Sequence, residues 1–306
     1  MRYVATALIL SSCGFSDLRT PTLSEDSKLH ILLRAQQTAN WAPWCEDYPS
    51  KANCNDGDLT AEVSGHLCAV GFAPSCNAVR RSVRDNGQLL RAPRRTDTDN
   101  TASRDQLFGF MAAQLSGNSR WLDVKRFIKD NGRICNDATD NRCDLTPVSL
   151  ALLGFTHAHL GYTRDATMWI NGQLFGKTLL TQSMTVPTGY QLNLVAEAAY
   201  IAWKTGFEDR VSYESARNVY LRQPGNPWFC YVVRGPDEEC ARLALSLWPE
   251  EPDMKDQWSI ARDTNDSAWQ RSQGWEWLFL SGLFGVDLNR LEYSGKRHSK
   301  VYPQSH

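Results

Sequence analysis

From Asp26 onward the chain repeats one pattern: about eleven segments in which apolar residues recur every 3.6 positions, each punctuated by Gly or Pro. In Ser103 to Gly117, positions Leu107, Phe108, Met111 and Leu115 share a face, with Ser103 as the N-cap and Gly117 as the stop. Asn118 to Asn131 repeats the logic, turning Trp121, Val124, Phe127 and Ile128 inward before Gly132. Thr146-Pro147 predicts a capped helix start and Gly161 its end. Further helices are predicted over Asp26–Asn40, Leu59–Val70, Asn77–Asp85, Arg164–Gln182, Gly189–Thr205, Ser212–Arg222, Asp237–Leu247 and Ser267–Phe284. Only Phe229 to Val233 has the β-branched and aromatic density of a strand. The fold class is therefore all-α.

Helical hairpins wound about an axis form an open solenoid or a closed ring, and no sequence repeat at a 34-to-45-residue period supports the solenoid. In this succession, over Asp26 to Gly285, the chain resembles the six-hairpin (α/α)6 toroid superfamily. That likeness is architectural and matches no glycosidase signature; it implies a cleft at the ends of inner helices, where many members cleave polysaccharides. Separately, Cys54-Asn-Asp-Gly-Asp58, Gly65-His-Leu-Cys68, Gly87 to Arg94 and Ser103-Arg-Asp105 together resemble a group of exported bacterial proteins of unassigned activity. This second resemblance brings no catalytic residues with it.

The start of the chain predicts export. Arg2, the apolar run Val4 to Leu10 and the small residues Ser11 and Ser12 read as a signal peptide, too short to span a bilayer. Leu10-Ser11-Ser12-Cys13 resembles the bacterial lipobox, which implies cleavage before Cys13 and lipid attachment to it, leaving 294 of the 306 residues. An ordinary signal cut elsewhere is the alternative. Residues 13–25, rich in Ser, Thr, Pro and Asp, suit a flexible tether, and 26–306 form one helical domain on the bacterial cell envelope, periplasmic or surface-exposed.

Export makes disulfides the expected state of the remaining eight cysteines. Neighbour pairing gives Cys45–Cys54, Cys68–Cys76, Cys135–Cys143 and Cys230–Cys240, with separations of 9, 8, 8 and 10. No zinc spacing, twelve-residue calcium loop, phosphate cradle or nucleotide turn is present, so no metal or cofactor is expected. With 33 basic against 34 acidic side chains, the chain has no basic field for nucleic acid. Nothing in it fixes an oligomeric state.

Chemistry is sought among carboxylates. Asp105 falls in the first turn of the strongest helix, where the helix dipole favours an anion, and Arg94 and Arg104 stand ready to hold it or an acidic substrate. Asp58 opens another helix behind Cys54. Two such acids suit glycosidic cleavage, one protonating the leaving oxygen and the other activating water or attacking the sugar carbon. Helix-capping is the structural alternative for both. Glu197 stands four residues after Asn193 on one stripe, and on an inner helix desolvation would raise it as a general acid requires. His157 and His159, two apart, cannot share a metal, and no nucleophile elbow is present. The 11 tryptophans invite a carbohydrate partner, with Trp41, Trp44 and Trp228 in loop-like contexts that predict exposed rings. These features predict a lipoprotein that binds a glycan, with cleavage by hydrolysis or elimination as the catalytic expectation. A non-catalytic envelope protein recognising a protein or glycan is the other expectation.

Overall fold

The computed structural model describes residues 23–50, 58–93, 101–117, 120–162, 190–206, 210–250, 274–294 and 297–298. Among them are eleven α-helices: α1 (Glu25–Ala39), α2 (Asp58–Ala69), α3 (Ala73–Arg81), α4 (Arg104–Gln114), α5 (Trp121–Asn131), α6 (Pro147–His159), α7 (Tyr190–Lys204), α8 (Arg210–Arg222), α9 (Pro227–Arg234), α10 (Glu238–Leu247) and α11 (Gly274–Leu283).

Their ends follow from local chemistry. Thr146 caps α6 by accepting from the Ser149 N–H, and Asp237 caps α10 by accepting from those of Glu239 and Cys240. At α4, Gln106 Oε1 accepts from the backbone N–H of the N-cap residue Ser103 at 2.8 Å, half of a capping box. Gly132 closes α5 at φ +67°, a conformation that residues with a Cβ rarely adopt. The third helix starts at Ala73, four residues before its expected start, because Pro74 presets the first turn. The expected helix Arg164–Gln182 and the first part of Ser267–Phe284 lie outside the described residues.

The expected strand is not one. Phe229 to Val233 is part of helix α9 and not a strand. Asn226 accepts from the N–H groups of Trp228 and Phe229, Pro227 occupies the first turn, and the aromatic residues bury one helical face. Cap and burial override β propensity here. The strands among the described residues are three two-residue pieces in the order β2-β1-β3: β1 (Trp44–Cys45) pairs antiparallel with β2 (Tyr48–Pro49) and parallel with β3 (Arg297–His298).

Three disulfides join neighbours as expected, Cys68–Cys76, Cys135–Cys143 and Cys230–Cys240. The first staples α2 to α3 and the third α9 to α10, each contributing about 2–3 kcal/mol on the chain-entropy account. Cys45 is also disulfide-bonded; Cys54, its expected partner, lies outside the described residues.

One main core unites the helices. In it α2 packs on α4, α4 on α6, α6 on α7, and α7 on α9, while α11 packs back on α2. Tyr231 of α9 reaches α11, its hydroxyl donating to the Leu283 carbonyl at 2.9 Å. The other helices lie against this series: α1 on α10 and α11, α3 on α2, α8 on α7 and α9, and α10 on α9. Trp121 of α5 stacks on Phe110 of α4.

Candidate functional site

The most extensive helix contact joins α2 and α4. It exists because two glycines face each other: a Cβ on Gly65 would lie 1.9 Å from the Gly109 carbonyl oxygen, and one on Gly109 would lie 2.4 Å from that of Ala61. Backbone meets backbone, which only glycine permits. Further along, Cys68 Sγ lies 3.9 Å from the Ala113 carbonyl. Gly65 opposite Gly109 and Cys68 opposite Ala113 mean that the two helices run the same way, offset by about 44 residues. Asp105 and Gln106 are therefore level with Ala61 and Glu62.

Helix α11 is parallel to them as well. The His66 ring meets Phe279 edge-on at 5.3 Å, and Val70 fills the space beside Gly282. This register puts Glu276, in the first turn of α11, within a turn of Glu62 and Asp105 along the common axis. One end of the parallel helices thus gathers buried acids from three chain segments: Glu62 (4% exposed), Asp105 (6%) and Glu276 (6%). Asp58, the first residue of α2, opens the same end one turn further out; its side chain lies outside the description.

The segment before α4 ties this end together. The Arg91 carbonyl accepts from the Ala61 N–H at 3.0 Å, while its Nε donates to the Thr101 carbonyl at 2.7 Å and its Nη2 to Ser103 Oγ at 3.5 Å. Arg91 is itself buried. Ser103 Oγ donates to Asp105 Oδ1 and lies 2.6 Å from Gln106 Oε1; Gln106 Nε2 donates to Asp105 Oδ2 at 3.0 Å. Arg104 is half-buried in the same turn, whereas Arg94 lies outside the described residues. The half-buried ring of Trp41 packs against Gly274, which opens α11.

One turn deeper sits a second polar layer. His66 and Glu197 are both fully buried, with His66 Nδ1 4.0 Å from Glu197 Oε1. His66 Nδ1 faces the Glu62 carbonyl at 2.9 Å, so in the neutral ring this nitrogen donates. Tyr200 of α7 and Phe279 close the layer, and burial pushes the Tyr200 hydroxyl far above its ordinary value. Burial also lowers His66 from 6.5 to about 4, against a smaller upward pull from its bond to the Glu62 carbonyl.

This has a consequence for stability. Between about pH 6.5 and pH 4 the unfolded chain carries a proton on His66 that the folded chain refuses, so stability falls as pH falls through that window. The loss by pH 4 is about 3 kcal/mol. Denaturant titrations at pH 7 and pH 4.5 should show a drop that His66→Gln reduces by about 2 kcal/mol; equal drops in the two proteins would exclude His66 as the titrating group.

Other candidates are placed elsewhere. Trp44 and Trp228, expected as exposed rings, are buried at 5% and 3%. Trp44 meets Trp275 and Tyr293 edge-on, each at 5.2 Å, and Trp228 packs on Phe279 and Tyr200. Their Pro-containing neighbourhoods are a cap and a core turn. Glu197 faces the interior on α7, but the side chain of Asn193 lies outside the description. Cys13 lies outside it too. Sequence reasoning passed over Glu62, Glu276, Arg91 and the pairing of His66 with Glu197. A lone acid inside the greasy run Trp275-Glu276-Trp277-Leu278 was the available signal for one of them.

Among the described residues no group of three His, Cys, Asp or Glu side chains is arranged to hold a metal ion, and no helix is long and apolar enough to cross a membrane. No protein-family model, curated protein or solved structure matches this chain.

Proposed function

We propose that this protein is a lipid-anchored component of a bacterial cell envelope whose helices form an (α/α) toroid, and that it binds and cleaves a polysaccharide at the shared start of α2, α4 and α11. What carries the proposal is the level gathering of Glu62, Asp105 and Glu276 at the N-terminal end of three parallel helices. The packing of α2 on α4 and α11, of α4 on α6 and α7, and of α7 on α9, with the Tyr231–Leu283 bond joining α9 to α11, supports the closed arrangement. A fourth bridge, Cys45–Cys54, belongs to the proposal, since Cys45 is already bonded.

Asp105 and Asp58 are the acid/base pair, and Glu276 lies in the first turn of α11 at the same helix ends. One carboxylic acid protonates the glycosidic oxygen as the carbon–oxygen bond breaks; the second carboxylate removes a proton from the attacking water or, for elimination, from the sugar ring. Arg104 and Arg94 bind substrate carboxylates or sulfates, while Arg91, buried and bonded to Thr101 and Ser103, holds the segment that leads into α4. Trp41, half-open beside α11, offers a face to a sugar ring. Glu197, wholly buried against His66, holds α7 to α2 and does not meet the polymer.

A second function is favoured by one observation. Ser103, Asp105 and Gln106 bond to one another, as a helix cap does, and a chain using them only in that way would bind a glycan or protein without cleaving it. Screening the purified full-length protein against envelope and extracellular polysaccharides separates the cases. Reducing-end release marks a hydrolase, absorbance of unsaturated products marks a lyase, and binding without either marks the second function.

The anchor has its own test. Cys13→Ser should abolish metabolic labelling by palmitate, and undiminished labelling would remove the anchor from the proposal.

A further inference from the structure

Helix α1 carries an exposed apolar stripe. Leu29, Leu32 and Leu33 are 51%, 43% and 57% exposed, and their spacing puts them on one helical face. The opposite face does the packing, burying Ser27, Ile31, Ala35, Thr38 and Ala39. Single exposed leucines are ordinary, but three adjacent ones on one helix mark a contact surface.

The start of this helix is held firmly. The Ser24 N–H donates to Glu238 Oε1 and the Ser27 hydroxyl to Glu238 Oε2 at 2.6 Å, pinning α1 to the first turn of α10. Ten residues separate Ser24 from Cys13, a span of roughly 40 Å at full extension. A lipid on Cys13 therefore keeps α1 close to the bilayer whatever path the intervening chain takes. Charge on the helix is balanced: Glu25 pairs with Lys28 at 2.7 Å, and Asp26 and Arg34 carry opposite charges. With no net charge to draw it to headgroups, the stripe is suited to the boundary of the acyl chains.

We infer that Leu29, Leu32 and Leu33 seat on the lipid surface to which Cys13 is tethered, orienting the protein with α1 toward the membrane. This rests on the anchor proposed above. The occupant is the outer few ångströms of the acyl region, and the contact is hydrophobic and insensitive to salt.

The test uses the full chain in lipidated and Cys13→Ser forms, each with and without Leu29→Ser/Leu32→Ser/Leu33→Ser, on phosphatidylethanolamine/phosphatidylglycerol vesicles carrying an acyl-chain diazirine. In the lipidated protein, photolabel should concentrate in the peptide spanning residues 28–36 and fall about tenfold in the triple variant. Cys13→Ser protein should co-sediment weakly with vesicles at low and high salt alike, and lose this with the leucines. Label spread over other helices, or unchanged in the triple variant, overturns the inference while leaving the anchor intact. Failed palmitate labelling sinks the anchor instead, and co-sedimentation of the Cys13→Ser pair then decides the stripe. Concentration-dependent dimerisation in lipid-free solution that the triple variant abolishes would assign the stripe to a second copy and also overturn it. The leucines are exposed, so all variants should melt near the parent; Leu33→Ser alone provides a milder version with a partial loss.

Discussion

Gly65→Ala is expected to cost the protein a large part of its stability, although alanine is the better helix former by about 1 kcal/mol. The new methyl would lie 1.9 Å from the Gly109 oxygen, 2.1 Å from its carbonyl carbon and 2.5 Å from its Cα. All three are backbone atoms in the middle of a helix, so no rotamer change relieves the overlap. The helices must separate, and with them the register that levels Asp105 with Glu62. Overpacked side chains cost about 1–3 kcal/mol when their neighbours can shift. Here the neighbours cannot, and a loss of about 4 kcal/mol or more is expected, out of the roughly 5–15 kcal/mol typical of a whole domain. Thermal melting under non-reducing conditions should show a fall of about 10 °C or more. Gly225→Ala is the control, since a Cβ there meets nothing within 4 Å. A Gly65→Ala protein that melts with the control, or above the parent, would mean that α2 and α4 do not touch as described.

The same pair of glycines marks the limit of what the sequence discloses. Helix periods, caps and stops are local, and so Ser103, Thr146-Pro147, Asp237 and Gly132 could be read one segment at a time. Near-neighbour disulfides are almost as local, because a separation of 8 to 10 residues needs only a turn between two helices. Parallel packing is not local. Gly109 sits within Phe108-Gly109-Phe110 and, on propensity alone, looks like a defect in the best helix of the chain; only Gly65 opposite it gives it a purpose. Glu276 was hidden among tryptophans that describe a core helix, and Trp228 was misjudged because Asn226-Pro227 resembles a loop when it is a cap. Asp105 was legible as a first-turn acid. That Arg91, fourteen positions earlier, would bond to Ser103 and carry the Ala61 N–H as well depends on a chain path that periodicity does not encode.

Asp105→Asn should separate the two proposed uses of that end. Asparagine keeps the size and shape of aspartate and can rotate its amide so that its oxygen accepts from Gln106 Nε2 while its NH2 donates to Ser103 Oγ. Ser103 can then give its single proton to Gln106 Oε1, 2.6 Å away. Every bond in the cap has a replacement, so the stability change should stay within about 1 kcal/mol. What asparagine cannot do is accept or deliver a proton at the glycosidic oxygen, and positioned acid/base groups contribute about 10²–10⁴-fold to such reactions. Turnover on whichever polysaccharide the screen identifies should therefore fall by that factor, with binding nearly unchanged. Ser103→Ala makes the opposite change: it removes a cap hydroxyl, costs about 1 kcal/mol of stability, and should leave most of the turnover in place. If Asp105→Asn retains half or more of the parent rate while Ser103→Ala and Asp105→Asn melt alike, Asp105 is only a cap. Catalysis would then have to be sought at Glu276 across the same helix ends, where Glu276→Gln is the corresponding change.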